Sequence, residues 1–151
     1  MRREDLYRLY WTDFHNFLAV KNSSIVPKRR KLVRYDGHFH LGRKCNLSAT
    51  IVARRKCIGV EVFIPNCSDL FEELYLQKSE IKDDIGVDLD WQRLPDKQKA
   101  RIVLELSGID PLCSRDRFRA FEWMQENLEK LHNCFEPRVS SIMGHHAASQ
   151  M

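Results

Sequence analysis

The sequence predicts a single α+β domain in which an antiparallel sheet carries helices at the N-terminus, in the middle and at the C-terminus. A length of 151 residues suits one domain with its own core. Apolar residues recur at helical spacing in three segments and alternate in shorter ones between them. The order α-β-β-β-α-β-β-α, without repeats or linkers, predicts one domain over 1–143 and a flexible C-terminal tail over 144–151.

Three segments have the periodicity of amphipathic helices. The first, from about Arg3 to Val20, carries a stripe of aromatic residues that is typical of core packing. The middle helix is expected over about 66–86, with Gly86 as its C-terminal stop. The last is expected over about 114–135, and Pro137 should end or kink it.

Five segments have the pattern of strands, over 31–35, 47–54, 57–64, 87–92 and 101–106. The connections between the first three strands are short. Short connections join antiparallel neighbours, so these three strands should form a meander.

Charge is distributed unevenly along the chain. The whole sequence has a net charge of +4, yet residues 28–56 contain ten Lys and Arg against the single Asp36, a net charge of +9. In a three-stranded meander, the first and last basic clusters of this segment should fall at the same end of the sheet. Such a cluster is suited to nucleic-acid phosphates. The predicted contacts are Lys28, Arg29, Arg30, Lys31, Arg34, Arg54, Arg55 and Lys56.

The connection between the basic clusters adds groups that can stack on bases, namely Tyr35, His38, Phe39 and His40. Other interpretations of the basic segment stay open at this stage. It would also suit an acidic protein partner, a homodimer contact, or a charged edge that prevents the sheet from pairing with other chains.

Catalytic and metal-binding motifs are incomplete in this sequence. A PD-(D/E)XK nuclease needs an acid-x-lysine on the third strand, but Glu61 is followed by Phe63 at the lysine position. His38 and His40 with Cys45 or Cys57 lack a second paired ligand motif. We therefore predict no catalytic residue, metal or cofactor. Enzymatic activity stays open at this stage, and the incomplete motifs favour its absence.

Cysteine spacing and hydropathy indicate the compartment. The five cysteines contain no C-x-x-C motif, which favours reduced thiols over disulfides or zinc. No apolar run is long enough for a membrane helix, and the first residues are too charged for a signal peptide. We expect a cytoplasmic protein without a membrane partner.

An ordered set of residues along the chain resembles a known family. Its elements are Tyr10-Trp11, Phe14, Leu70-Phe71, Leu74, Lys78, Ile81, Gly86, Leu89, Trp91, Leu94-Pro95, Lys97, Arg101-Ile102, Trp123, Leu128, Phe135 and Pro137-Arg138. Together they resemble the bacterial domain-of-unknown-function family four-two-six-eight. The family pattern leads us to expect an acid at position 82, where this sequence has Lys82.

The resemblance implies a setting but no activity. Members of that family often lie C-terminal to PD-(D/E)XK nuclease-like domains, or stand alone, in bacterial, archaeal and phage genomes. The implied role is a non-catalytic, nucleic-acid-associated accessory module in a restriction, defence or phage context. A protein–protein interaction or dimerisation module that binds an acidic partner is the alternative.

Overall fold

The computed structural model describes residues 2–28, 37–66, 69–94 and 98–149. Its elements are α1 (Arg3–Val20), β1 (His38–Gly42), β2 (Cys45–Val52), a 3-10 turn (Ala53–Arg55), β3 (Cys57–Ile64), α2 (Asp69–Tyr75), α3 (Lys78–Ile85), β4 (Asp90–Leu94), β5 (Lys99–Ser107) and α4 (Ser114–Ser149). The predicted α+β class is confirmed. No helix in these ranges is both long and apolar enough to cross a membrane.

The five strands form one antiparallel sheet in the order β1-β2-β3-β5-β4. β3 therefore lies at the centre, and its apolar alternation gives the interior its most buried strand. The chain before β1 adds an isolated bridge between Pro27 and Phe39 on the outer side of that strand. Lys28 thereby lies beside His38, to whose carbonyl its backbone N–H donates at 2.9 Å.

One face of the sheet packs against the helices. Successive side chains of a strand point to opposite faces, so Ile58, Val60 and Val62 share the helix side. Phe14 of α1 is completely buried there, and its ring lies 5.3 Å from Phe121 of α4. This contact joins α1 to α4, and the Phe14 ring also meets Phe39 of β1 at 6.1 Å, which holds α1 to the sheet.

The opposite face of the sheet is polar and carries a row of hydrogen-bonding side chains. Strand register places His38, Ser48 and Glu61 beside one another across β1, β2 and β3. Arg101 of β5 reaches Glu61 from the adjacent row. We call this side of the sheet the polar face.

The first described strand differs from the sequence expectation. The predicted strand over 31–35 lies outside the described residues, whereas β1 begins at His38, where a connection was expected. β1 forms because Phe39 and Leu41 alternate with more exposed neighbours and bury their side chains in the core.

The predicted middle helix is wrong as a single element, because the chain forms α2 and α3 with a break at Leu76 and Gln77. The buried residues Leu74 and Ile81 are seven positions apart, which suits two turns of an unbroken helix as well. Periodicity alone was therefore unable to reveal the break.

The last helix runs past Pro137, where the sequence predicted an end or kink, and its backbone continues to Ser149 through the predicted tail. Proline removes a backbone donor from the helix. In that turn the Arg138 guanidinium donates to the carbonyl of Cys134 at 2.8 Å. Beyond Pro137, Val139 and Ile142 are buried, so core packing sustains the helix.

Candidate functional site

The connection between β2 and β3 presents three adjacent basic side chains at one end of the sheet. Arg54 and Arg55 belong to the 3-10 turn, and Lys56 follows it in a left-handed conformation with φ of 49°. All three side chains are exposed. We call Arg54, Arg55 and Lys56 the basic end.

Only part of the basic end is neutralised. The Arg55 guanidinium lies 3.1 Å from the Glu105 carboxylate, and both groups are largely exposed, so this pair contributes little to stability. Arg54 and Lys56 form no ion pair with the residues that the structure describes. Two full positive charges therefore face solvent at this position.

A cleft next to the basic end is lined by Arg3 and Tyr7 of α1 and by Ile51, Val52, Ala53 and Arg54. Its volume is about 280 Å³. The Arg3 guanidinium lies over the Tyr7 ring, 5.8 Å from the ring centroid. We call this the Arg3–Arg54 cleft, after the two arginines that line it.

Lys28 is not brought to the basic end. Its ammonium group donates to Asn46 Oδ1 at 2.5 Å, on the polar face. Asn46 lies six residues before Val52 along β2, which corresponds to about 20 Å at the usual rise of a strand. The expected meeting of Lys28 with Arg54 is thus not found.

The other predicted phosphate contacts, Arg29, Arg30, Lys31 and Arg34, lie outside the described residues, as does Tyr35. They remain sequence predictions.

The expectation that Phe39 stacks on bases is wrong. Its side chain is completely buried, with its ring 6.1 Å from Phe14 and 5.5 Å from His15. His40 is exposed on the same strand. The His38 ring lies 3.2 Å from the Ser48 hydroxyl, so it is engaged within the polar face.

Glu61, the acid considered for a nuclease site, is tied to an arginine. Its carboxylate accepts from Arg101 Nε at 2.5 Å and from Arg101 Nη2 at 3.4 Å. The Glu61 side chain is only 8% exposed. Across the part of the chain that the structure describes, no three His, Cys, Asp or Glu side chains are grouped to hold a metal ion.

Cys45 and Cys57 lack the environment of reactive thiols. Burial raises the pKa of the Cys45 thiol to about 12, and nearby Lys28 offsets this only in part. Burial and a hydrogen bond to Glu105 raise the pKa of Cys57. A thiol with a raised pKa is a poor nucleophile.

Arg3 and Tyr7 were missed by sequence reasoning. Tyr7 was assigned to the aromatic core stripe of α1, but it is only half-buried. The available signal was the pair Arg2 and Arg3 at the start of the helix, where basic side chains oppose the helix dipole. Residues in a locally unfavourable position are candidates for function.

Comparison with known proteins identifies a family. Residues 6–139 match the family described as Domain of unknown function (DUF4268). No curated protein matches significantly. Among solved structures, the chain is similar to YbjN, described as a putative transcription regulator from E. coli, with 12% identity and a TM-score of 0.43 over 89% of this chain and 92% of that one. A likeness this distant supports no inference here.

Lys82, where the family resemblance leads us to expect an acid, pairs with Asp88 at 3.2 Å, and both side chains are largely exposed. This local departure leaves the family match intact. Because the match spans most of the sequence, the chain belongs to the DUF4268 family.

Proposed function

We propose that the protein is a non-catalytic accessory module that contacts the phosphate backbone of nucleic acid through the basic end. The observation that carries this proposal is the pair of exposed, unneutralised charges on Arg54 and Lys56. The proposed setting is a bacterial restriction, defence or phage system, as the family resemblance implies, in the cytoplasm, as the cysteine spacing and hydropathy favour.

The chemistry of the basic end supports backbone contact rather than base readout. Exposed Lys and Arg neutralise phosphates and release condensed counterions, whatever the sequence of the nucleic acid. A side chain already bound within the protein contributes less. This leaves Arg54 and Lys56 as the principal contacts, with Arg55 available when its exposed pair with Glu105 opens.

The test measures binding to a random DNA duplex by fluorescence anisotropy over a series of salt concentrations. The variant Arg54→Gln/Lys56→Asn removes two charges, and asparagine tolerates the left-handed conformation at position 56. Loss of two phosphate contacts should reduce the slope of log K against log salt by about 1.8.

The opposite turn of the sheet supplies a matched control. Arg43 and Lys44 are also exposed, and Lys44 has φ of 64°, so Arg43→Gln/Lys44→Asn removes the same charge from the same backbone conformation. This control should leave the slope close to that of the wild type. A wild-type slope in Arg54→Gln/Lys56→Asn would refute the basic end as the contact, and absence of binding at low salt would refute the nucleic-acid function.

An interaction between protein chains is the second candidate, and the edge strand β4 favours it. In the described part of the sheet, β4 pairs with β5 on one side only. Trp91 of β4 and Tyr75 of α2 are partly exposed beside this edge, with their rings 5.5 Å apart. Light scattering over a range of concentrations tests self-association, and a constant monomer mass would exclude a homodimer.

A further inference from the structure

We propose that the Arg3–Arg54 cleft binds one unpaired nucleotide, so that the protein prefers single-stranded over double-stranded nucleic acid. This inference rests on the proposed function, because it specifies which form of nucleic acid the protein takes. It is carried by an observation separate from net charge, namely a cleft in which two arginines, an aromatic ring and an apolar floor meet.

The lining of the cleft matches the parts of a nucleotide. Arg3 and Arg54 each offer a guanidinium group, which binds phosphate oxygens in a planar, two-point geometry. Ile51 and Ala53 provide an apolar surface for the base. The Tyr7 ring, which also lines the cleft, is a planar surface on which a base stacks.

Charge separates this cleft from another described opening on the surface. A cleft of similar volume between α1 and α4 is lined by Lys21 with Glu122, Gln125, Glu126 and Glu129, and its acidic walls would repel a phosphate. Among the described residues, no acidic side chain lines the Arg3–Arg54 cleft. A phosphate is therefore attracted to it rather than to the α1–α4 cleft.

The size and position of the cleft favour a single strand. At about 280 Å³ it lies near the lower limit of small-molecule sites, which is appropriate for one base and not for a large cofactor. Bases in a duplex are stacked and paired, so their faces cannot enter such a cleft. A duplex would reach only the exposed charges of the basic end, whereas a strand can place a base beside Tyr7 as well.

The experiment compares a labelled single strand of about 12 nucleotides, within the usual site size of such proteins, with a duplex of the same sequence. Tyr7→Leu removes the ring and keeps an apolar side chain suited to the helix. Loss of one stacked base should weaken single-strand binding roughly 5- to 150-fold. Duplex binding should stay within about twofold of the wild type, because its phosphate contacts remain.

Two further variants separate stacking from general damage. Tyr7→Phe keeps the ring and should retain single-strand affinity. Phe118→Leu removes another exposed aromatic ring, on α4 and outside the cleft lining, and should leave affinity unchanged. Circular dichroism spectra that match the wild type would show that each variant is folded.

The outcomes distinguish this inference from the proposed function. If Tyr7→Leu binds single strands as well as the wild type while Arg54→Gln/Lys56→Asn still flattens the salt dependence, the cleft is refuted and the basic end survives. If nothing binds at low salt, both are refuted. If a free nucleoside monophosphate binds as tightly as the strand, the ligand is a free nucleotide and the preference for a strand is overturned.

Discussion

The ion pair between Glu61 and Arg101 gives the sharpest prediction about stability. The Glu61 side chain is 8% exposed and that of Arg101 is 33% exposed, so the carboxylate depends on the arginine for its polar contacts. Arg101→Met keeps much of the side-chain volume but leaves this carboxylate buried without its partner. Removing one member of a buried pair costs about 3 kcal/mol or more.

Partial exposure of Arg101 reduces the expected loss. Water already reaches the guanidinium, and after substitution water can partly solvate the carboxylate from the same side. We therefore expect Arg101→Met to lower the free energy of unfolding by about 2–3 kcal/mol. For a domain of this length that corresponds to a fall in Tm of roughly 5–10 °C.

Urea unfolding followed by tryptophan fluorescence measures this loss, since the chain contains three Trp residues. Two comparisons test the reasoning. Glu61→Leu/Arg101→Met removes both charges and should recover most of the loss, whereas Arg55→Met breaks the exposed pair with Glu105 and should cost less than about 1 kcal/mol. The reasoning fails if Arg101→Met costs no more than Arg55→Met, or if the double variant is as unstable as the single one.

Three other substitutions test the packing. Gly37→Ala would place a Cβ 2.1 Å from the carbonyl oxygen of Ala49 and should lower the free energy of unfolding in urea by about 2 kcal/mol. A Cβ at position 144 meets no described atom within 4 Å, so Gly144→Ala should stabilise α4 by about 0.5–1 kcal/mol. Phe14→Ala should cost about 3–5 kcal/mol, and a loss below 1 kcal/mol would contradict the core position of this ring. Burial raises the pKa of Cys45 from 9.0 to about 12 in the folded protein, so the unfolded chain loses the thiol proton at a lower pH. The contribution of Cys45 to the free energy of unfolding is therefore complete below pH 9.0 and is lost as the pH rises from there towards the folded pKa. Above pH 9.0 the free energy of unfolding of the wild type should therefore fall by up to about 1.4 kcal/mol per pH unit more than that of Cys45→Ala. Identical pH profiles of unfolding for the two proteins would contradict this prediction.

The central strands of the sheet could be predicted well from sequence, because their buried apolar residues recur at every second position. Ile58, Val60 and Val62 are in phase, and a shift of one residue would place Glu61 among the helices, so the register is strongly determined. The end of α4 was less predictable. The ion pair of Arg138 with Asp84 of α3 and the burial of Val139 sustain the helix past Pro137, and hydrophobic periodicity does not describe such contacts.

The candidate site was predictable only as a surplus of charge. Counting basic residues identified the segment, but whether each charge is free depends on partners distant in sequence. Lys28 is bound to Asn46, and Arg55 lies against Glu105, fifty positions away. Tyr7 was not identified as a site residue, because an aromatic residue at helical spacing gives the same sequence pattern whether it packs in the core or lines a cleft.

The residues that carry the family resemblance and those of the proposed site have separable roles. Trp91 packs against Phe135 with ring centroids 6.4 Å apart, and Arg138 joins α4 to Asp84 of α3 at 2.7 Å. Such contacts hold α4 to the sheet and to α3, so family membership accounts for the fold without specifying a ligand. Arg3 lies before the matched residues 6–139, which places part of the proposed cleft outside what the family match covers. Substitutions in the first set should therefore change stability, whereas substitutions at the exposed arginines should change binding while leaving the unfolding transition in place.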